Sequence, residues 1–258
     1  FNQHVGVSPK KYALYQQCLF AKQLLHQTQL PVTEIALASG FNSVRRFNDC
    51  MLKQLHLNPT QIRKKQKTAT DSLKLKLSYR TPYDWQRMQT FLSTRVITGL
   101  EWTDENSYGR TFEFCDCQGN KSQGQFTARH MADKHRFDVD IEIDDLSQLK
   151  NVVNNIRRVL DLDVDILAVE GHLSPHFATY INIHTGLRLP GTWSLFEAGI
   201  RAILGQQISV QAAKNLVATL VDQLGKTYKE HKNFPTAEAI AAQGHRKIGL
   251  LDTRSAIP

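Results

Sequence analysis

Apolar residues recur every three or four positions along most of this chain, and at alternate positions only in its middle third. After Pro9, the residues Leu14, Cys18, Ala21 and Leu25 share one helical face. A short helix is predicted from Thr33 to Gly40, with Val32 and Leu37 placed as a hydrophobic staple. A third follows Ser43 and buries Val44, Phe47, Met51 and Leu55. The period then changes. Leu75, Leu77 and Tyr79 alternate as a strand, and Pro82 is expected to open the helix in PYDWQRMQTFL. Tyr108, Arg110, Phe112 and Phe114 alternate next, followed by QGQFTARH and FDVDIEI, with Gly119-Asn120 marking a hairpin. Helical spacing returns over 147–160, burying Leu149, Val153, Ile156 and Leu160. Two further buried helices are predicted, one through Phe196, Ile200 and Leu204 and one through Val210, Ala213, Val217, Leu220 and Leu224. Between them lies a short polar turn, Gly205-Gln206-Gln207.

The expected architecture is therefore multidomain: all-α, then α+β with a small antiparallel sheet and two helices, then all-α again. The units are read as 1–67, 73–170 and 187–258, with the polar stretch KKQKTATDS (64–72) as a linker.

The first unit contains a repeat. FNQHVGVSPKKY aligns with MLKQLHLNPTQI at an offset of 50 residues. Ser8-Pro9 and Asn58-Pro59 are both helix starts, a capping side chain followed by proline at the first helical position. Gln61 completes a capping box with Asn58. The first copy lacks what precedes the second, and the chain opens on Phe1, so it reads as truncated at its N-terminus. A short helix, a glycine turn and a second helix make a helix-turn-helix.

Charge sharpens that picture. The net charge is +8. Lys10, Lys11, Lys22, Arg45, Arg46, Lys53, Arg63, Lys64, Lys65 and Lys67 face only Glu34 and Asp49 in the first seventy residues. That block carries the whole excess, and a compact basic block beside a neutral body suits a polyanion, most simply nucleic acid. Arg45 and Arg46 open the third helix, where positive charge opposes the macrodipole by about 0.3–1 kcal/mol each. A recognition helix accepts that cost to reach bases and phosphates; the alternative is two arginines on a solvated face.

Other chemistry is thin. The four cysteines include a single CxC, Cys115 and Cys117, which reads as ordinary thiols and not as a metal site. In the acidic cluster Asp138, Asp140, Glu142, Asp144 and Asp145, three residues alternate along one strand, so it reads as an exposed sheet face, unsuited to DNA. No apolar run reaches the roughly 18 residues of a membrane helix. These features fit a cytoplasmic, nucleoid-associated protein without metal or cofactor, monomeric, and with no small-molecule effector evident.

TEIALASGFNSVRRFNDCMLKQLHLNPTQIRK resembles the second helix-turn-helix of AraC-type transcription regulators, in which a long helix joins two such units. The resemblance covers residues 1–66. It implies that Asn42, Ser43, Arg45, Arg46 and Asn48 face the major groove of double-stranded DNA.

GLRLPGTWSLFEAGIRAILGQQISVQAAKNLVATLV resembles the opening of the helical domain of the DNA-3-methyladenine glycosylase II family, within the helix-hairpin-helix glycosylases. KLKLSYRTPYDWQRMQTFLSTR resembles that family's N-terminal sheet domain, so the likeness runs over 74–258. Such enzymes flip the target base out of the duplex, and something must fill the gap. The resemblance implies that Gln207 is the wedge, with Ile208 beside it on the DNA, and that Gln206 and Phe91 approach the lesion pocket. The family often has leucine at the wedge position, so Gln207 exchanges apolar stacking for hydrogen bonding.

The family's hairpin and catalytic aspartate have no counterpart here. Asp222 and Asp252 are the aspartates after Gly191, and Leu189-Pro190-Gly191 precedes the wrong helix. The sequence stops at Pro258, and the resemblance implies that the catalytic aspartate lies beyond that residue. The chain is thus expected to be truncated before the catalytic segment and inactive by itself. The leading expectation is an alkylation-repair protein that joins an AraC-type DNA reader to a base-flipping N-glycosylase for alkylated purines such as 3-methyladenine. The alternative is an AraC-type regulator whose glycosylase-like part binds DNA without catalysis.

Overall fold

The computed structural model describes residues 1–63, 73–115 and 121–242. The linker 64–72, the Gly119-Asn120 hairpin, Cys117, Asp252 and Pro258 lie outside the described residues. The third unit, read as 187–258, is therefore described only as far as residue 242.

Five helices open the chain: α1 (Asn2–Val5), α2 (Pro9–Gln27), α3 (Val32–Ala38), α4 (Val44–Leu55) and α5 (Pro59–Ile62). The 50-residue repeat is visible in the backbone. Gly6 ends α1 in the left-handed region at φ 75°, and His56 ends α4 there at φ 55°. Ser8 then accepts from the Lys11 N–H, while the Gln61 side chain accepts from the Asn58 N–H. Proline follows the cap in both, at Pro9 and Pro59. The domain core gathers Cys18, Ala21, Leu24 and Leu25 of α2, Ile35 and Ala38 of α3, and Phe47 and Met51 of α4. Val44 and Leu55 are only partly buried.

The expected staple does not form. α3 starts one residue early, at Val32 after Pro31, and Leu37 is 50% exposed. Ile35, two residues earlier, takes the inward face and is fully buried.

The sheet has five antiparallel strands in the order β1-β5-β4-β3-β2. These are β1 (Leu73–Ser78), β2 (Glu101–Thr103), β3 (Ser107–Cys115), β4 (Lys121–Met131) and β5 (Arg136–Ile143). Register brings Leu75 opposite Val139, Val139 opposite Ala128, and Ala128 opposite Tyr108, a continuous buried row across four strands. α6 (Trp85–Arg95) and α7 (Leu149–Val159) accompany it. Pro82 does not open α6; Asp84 caps it by accepting from the Arg87 N–H. The indole of Trp193 stacks on Phe112 and Phe126, with ring centroids 5.3 and 5.6 Å apart.

Beyond the sheet come α8 (Ile166–Ile183), α9 (Leu195–Leu204), α10 (Val210–Leu224), a two-stranded ribbon β6 (Thr227–Tyr228) and β7 (His231–Lys232), and α11 (Ala237–Ala242). The boundary read at residue 170 falls inside α8, which continues through Pro175 with a kink at Phe177. Arg188 clips the following segment to the body. Its guanidinium donates to the carbonyls of Pro82 (2.8 Å), Asp161 (3.0 Å) and Arg80.

α9 departs from its sequence reading. Phe196 is exposed, Ile200 and Leu204 are half-buried, and Leu195 is 88% exposed. In α10, Val217 and Leu220 are buried as read, while Val210 is exposed and Ala213 and Leu224 are half-buried.

Candidate nucleic-acid interface

Two surfaces present the residues singled out by sequence. The first is the N-terminal turn of α4. Ser43 caps the helix by accepting from the Arg46 N–H at 3.2 Å, so its backbone is extended and Asn42 stands clear of the helix. Phe47 drops into the core at 0% exposure, edge-on to Phe41, and this fixes the rotation of α4 about its axis. With Phe47 inward, helical geometry turns Arg45, Arg46 and Asn48 outward. All five of Asn42, Ser43, Arg45, Arg46 and Asn48 are exposed on one rim of the domain. Among the described residues neither arginine has an ion-pair partner, so both guanidiniums are available to a polyanion.

The second is the turn between α9 and α10. The Gly205 N–H donates back to Arg201 and ends α9, and Ser209 caps α10 by accepting from the Ala212 N–H. Gln207 sits between them at φ 61°, in the left-handed region. A few per cent of non-glycine residues adopt that conformation, and His56, His135, Asp161 and Lys229 share it in this chain. The twist throws the Gln207 side chain outward; Gln206 is exposed too, and Ile208 is half-buried. Beside the turn lies an open cleft of about 320 Å³, lined by Gly205, Ile208, Val210, Ala213 and Val217 with Arg95, Arg201 and Lys214 at its edge. Its lining is mostly apolar, Arg95 and Lys214 add positive charge while Arg201 is paired with Glu101 and Glu197, and among the described residues no carboxylate lines it.

Phe91 stands on another cleft, of about 590 Å³, with Thr90, Thr94, Arg87 and Ile183. The guanidinium of Arg95 lies 3.9 Å above its ring, and Arg95 lines both clefts. Gln206 lines neither of these two clefts.

Of the two aspartates that follow Gly191, Asp222 is on α10 and spends its carboxylate on Lys232, at 2.7 Å, away from either cleft. Asp252 and the expected position of a catalytic aspartate beyond Pro258 fall outside the described residues.

The acidic strand has structural partners throughout. Asp138 pairs with Arg136, Asp140 with Lys74 and Glu142 with Lys229. Asp144 accepts from Ser122, and Asp145 caps the turn at Ser147. Among the described residues no group of three or more acidic, histidine or cysteine side chains could hold a metal ion. No helix among them is long and apolar enough to cross a membrane.

Sequence reasoning missed a charged cluster behind the second surface. Arg110, 2% exposed, makes a two-pronged ion pair with Glu197 at 3.0 and 2.7 Å and reaches Glu101 at 3.3 Å. Arg201 bonds Glu101 at 2.9 Å and Glu197 at 2.6 Å. Burial by itself would raise the Glu197 carboxyl, but Arg110 and Arg201 outweigh it and hold it below the usual carboxylate range. The one available signal was Arg110 itself, a charge at an inward position between Tyr108 and Phe112.

Two segments of the chain match known domain families. Residues 74–194 match the AlkA N-terminal domain, and residues 1–65 match a helix-turn-helix domain. The chain is 29% identical over 251 residues to a Mycobacterium tuberculosis protein described as a probable bifunctional transcriptional activator/DNA repair enzyme AlkA, covering 92% of this chain and 49% of that one. It is 30% identical over 178 residues to the Escherichia coli DNA-3-methyladenine glycosylase 2, covering 68% of this chain and 60% of that one. The chain thus spans about half to three-fifths of the length of the curated relatives it matches. Among solved structures, the apo form of a Clostridium acetobutylicum 8-oxoguanine glycosylase/lyase overlaps 59% of this chain and 60% of its own, with a TM-score of 0.40 and 15% identity, too slight a likeness to build on.

Proposed function

We propose that this chain, which joins an AraC-type helix-turn-helix domain to an AlkA-type N-terminal domain, belongs to a bacterial alkylation-repair protein acting on double-stranded DNA. The first surface reads duplex sequence through Asn42, Ser43, Arg45, Arg46 and Asn48. The second opens the duplex: Gln207 enters the stack while a damaged purine swings out, and Ile208 and Gln206 border the entry. The protein works as a monomer in the cytoplasm, at the nucleoid, without cofactor, metal or small-molecule effector. The observation that carries the reading is the exposed Gln207 at φ 61°, projecting from a turn between two helices beside a cationic cleft.

Removal of the purine is assigned to the glycosylase part, which needs a carboxylate to stabilise the cationic sugar. A second reading, duplex binding without excision, is favoured by the cleft beside Gln207, which no described carboxylate lines. The test uses duplexes carrying 2-aminopurine, whose fluorescence rises when it unstacks. Residues 1–258 should raise that signal on a duplex, and Gln207→Ala should abolish most of the rise while leaving single-strand binding intact, because single strands have little stacking to break. Equal loss on both substrates would remove the wedge. Incubated with methylated DNA, residues 1–258 should release no free purine; measured release would end the binding-only reading.

A further inference from the structure

α9 is held to the protein in an unusual way. Its apolar side chains supply little of the hold: Leu195 and Ile203 are largely exposed, and Glu197 is the buried residue of the helix. The half-buried Leu204 at its end packs on the cluster of Ile97, Leu100, Val217 and Val221. We propose that the ion network of Glu101, Arg110, Glu197 and Arg201 is the anchor that sets the position of the Gly205–Gln207 turn, so that these four are positioning residues for the wedge. The role in DNA opening rests on the reading of Gln207 given above; the anchoring does not.

The geometry converges on one short segment. On the α9 side, Arg110 of β3 grips both oxygens of Glu197, and Arg201 one turn later donates to that carboxylate and to Glu101. Glu101 also accepts from Tyr108 at 3.0 Å and, with its other oxygen, from the Ile97 N–H at 3.0 Å. On the α10 side, Val217 and Val221 pack in a separate apolar cluster with Ile97 and Leu100. Both flanks of the turn therefore meet the segment from Ile97 to Glu101, α9 by charge together with Leu204 at its end, and α10 by apolar contact.

The two kinds of contact do different things. Apolar packing is non-directional and tolerates sliding. A forked guanidinium–carboxylate pair is planar and fixes direction as well as distance. Two carboxylates balance two guanidiniums, so the cluster is neutral and its buried hydrogen bonds are strong for lack of competing water. A helix with one buried carboxylate, gripped on both oxygens, has little freedom to rotate about its axis or shift along it. Gln207 lies ten residues beyond that grip.

Paired spin labels would measure this directly, at Gln207→Cys on the turn and Arg129→Cys on the exposed face of β4, in a chain carrying Cys115→Ser and Cys117→Ser. Dipolar spectroscopy should give one narrow distance. Glu197→Gln keeps the shape of the side chain but loses the ion pairs, and the single narrow distance should be lost. Leu195→Ala, on the same helix but exposed, should leave the distance unchanged. Should Glu197→Gln fail to fold, Arg201→Gln at the half-buried rim replaces it, with broadening again expected. An unchanged distribution in the folded variant overturns the anchor, whatever happens on DNA. Broadening in a protein whose 2-aminopurine signal ignores Gln207→Ala upholds the anchor and removes the wedge.

Discussion

The side-chain amide of Gln27, the last residue of α2, hydrogen-bonds both backbone groups of Lys76 on the edge strand β1. Its oxygen accepts from the Lys76 N–H at 2.8 Å and its nitrogen donates to the Lys76 carbonyl at 3.5 Å, where Gln23 donates as well at 3.2 Å. Gln27 thus stands where a further strand would pair, covering part of an open sheet edge. α3 packs nearby on the turn Leu146–Gln148, so the helix-turn-helix domain is seated on the sheet domain.

If that seat holds the two domains together, Gln27→Ala should expose the Lys76 amide. Its hydrogen exchange should accelerate, and stability should fall by about 1 kcal/mol, the net value of a typical hydrogen bond. Exchange at Lys76 that matches the parent protein would mean that the domains separate readily in solution.

Residues Arg45 and Arg46 are exposed at the start of α4. Duplex binding should weaken steeply as salt is added, because each phosphate contact releases counterions. Arg45→Ala or Arg46→Ala should cost about 1–3 kcal/mol on a preferred sequence if the side chain touches bases. Equal weakening on every sequence, with a shallower salt slope, would assign the residue to phosphate. Binding that ignores salt altogether would count against the whole surface.

Cys18 and Cys50 lie buried in the helix-turn-helix core with their sulfurs 2.9 Å apart. Burial, with Cys50 beside it, pushes the Cys18 thiol up to about 12. The neutral thiol is the form the fold favours, so its stabilising contribution is complete below the ordinary thiol range and declines as pH rises toward 12. In a Cys115→Ser, Cys117→Ser chain, a thiol reagent at pH 8 should find neither cysteine until the protein unfolds, when both should react. Rapid labelling of the native protein would show that α2 and α4 separate often.

Much of this protein was legible from its sequence because the deciding signals are local. Capping at Ser8, Ser43 and Asn58 depends on a side chain three residues from its partner, and alternation at Leu75 or Phe126 reports which face of a strand is inward. The sequence also placed Gln207 on an exposed turn, since glycine and two polar residues break two helical patterns. Tertiary structure alone decided the rest. Leu37 and Phe196 satisfy an apolar pattern and still face out, because what a helix buries depends on what stands opposite. Phe91 lines one cleft and Gln206 lines neither of the two clefts. Arg110 meets Glu197 across 87 positions, and no periodicity encodes that meeting. A buried charge is tolerable only where its counter-charge arrives with the right geometry, and that is settled by how β3 and α9 come together in space.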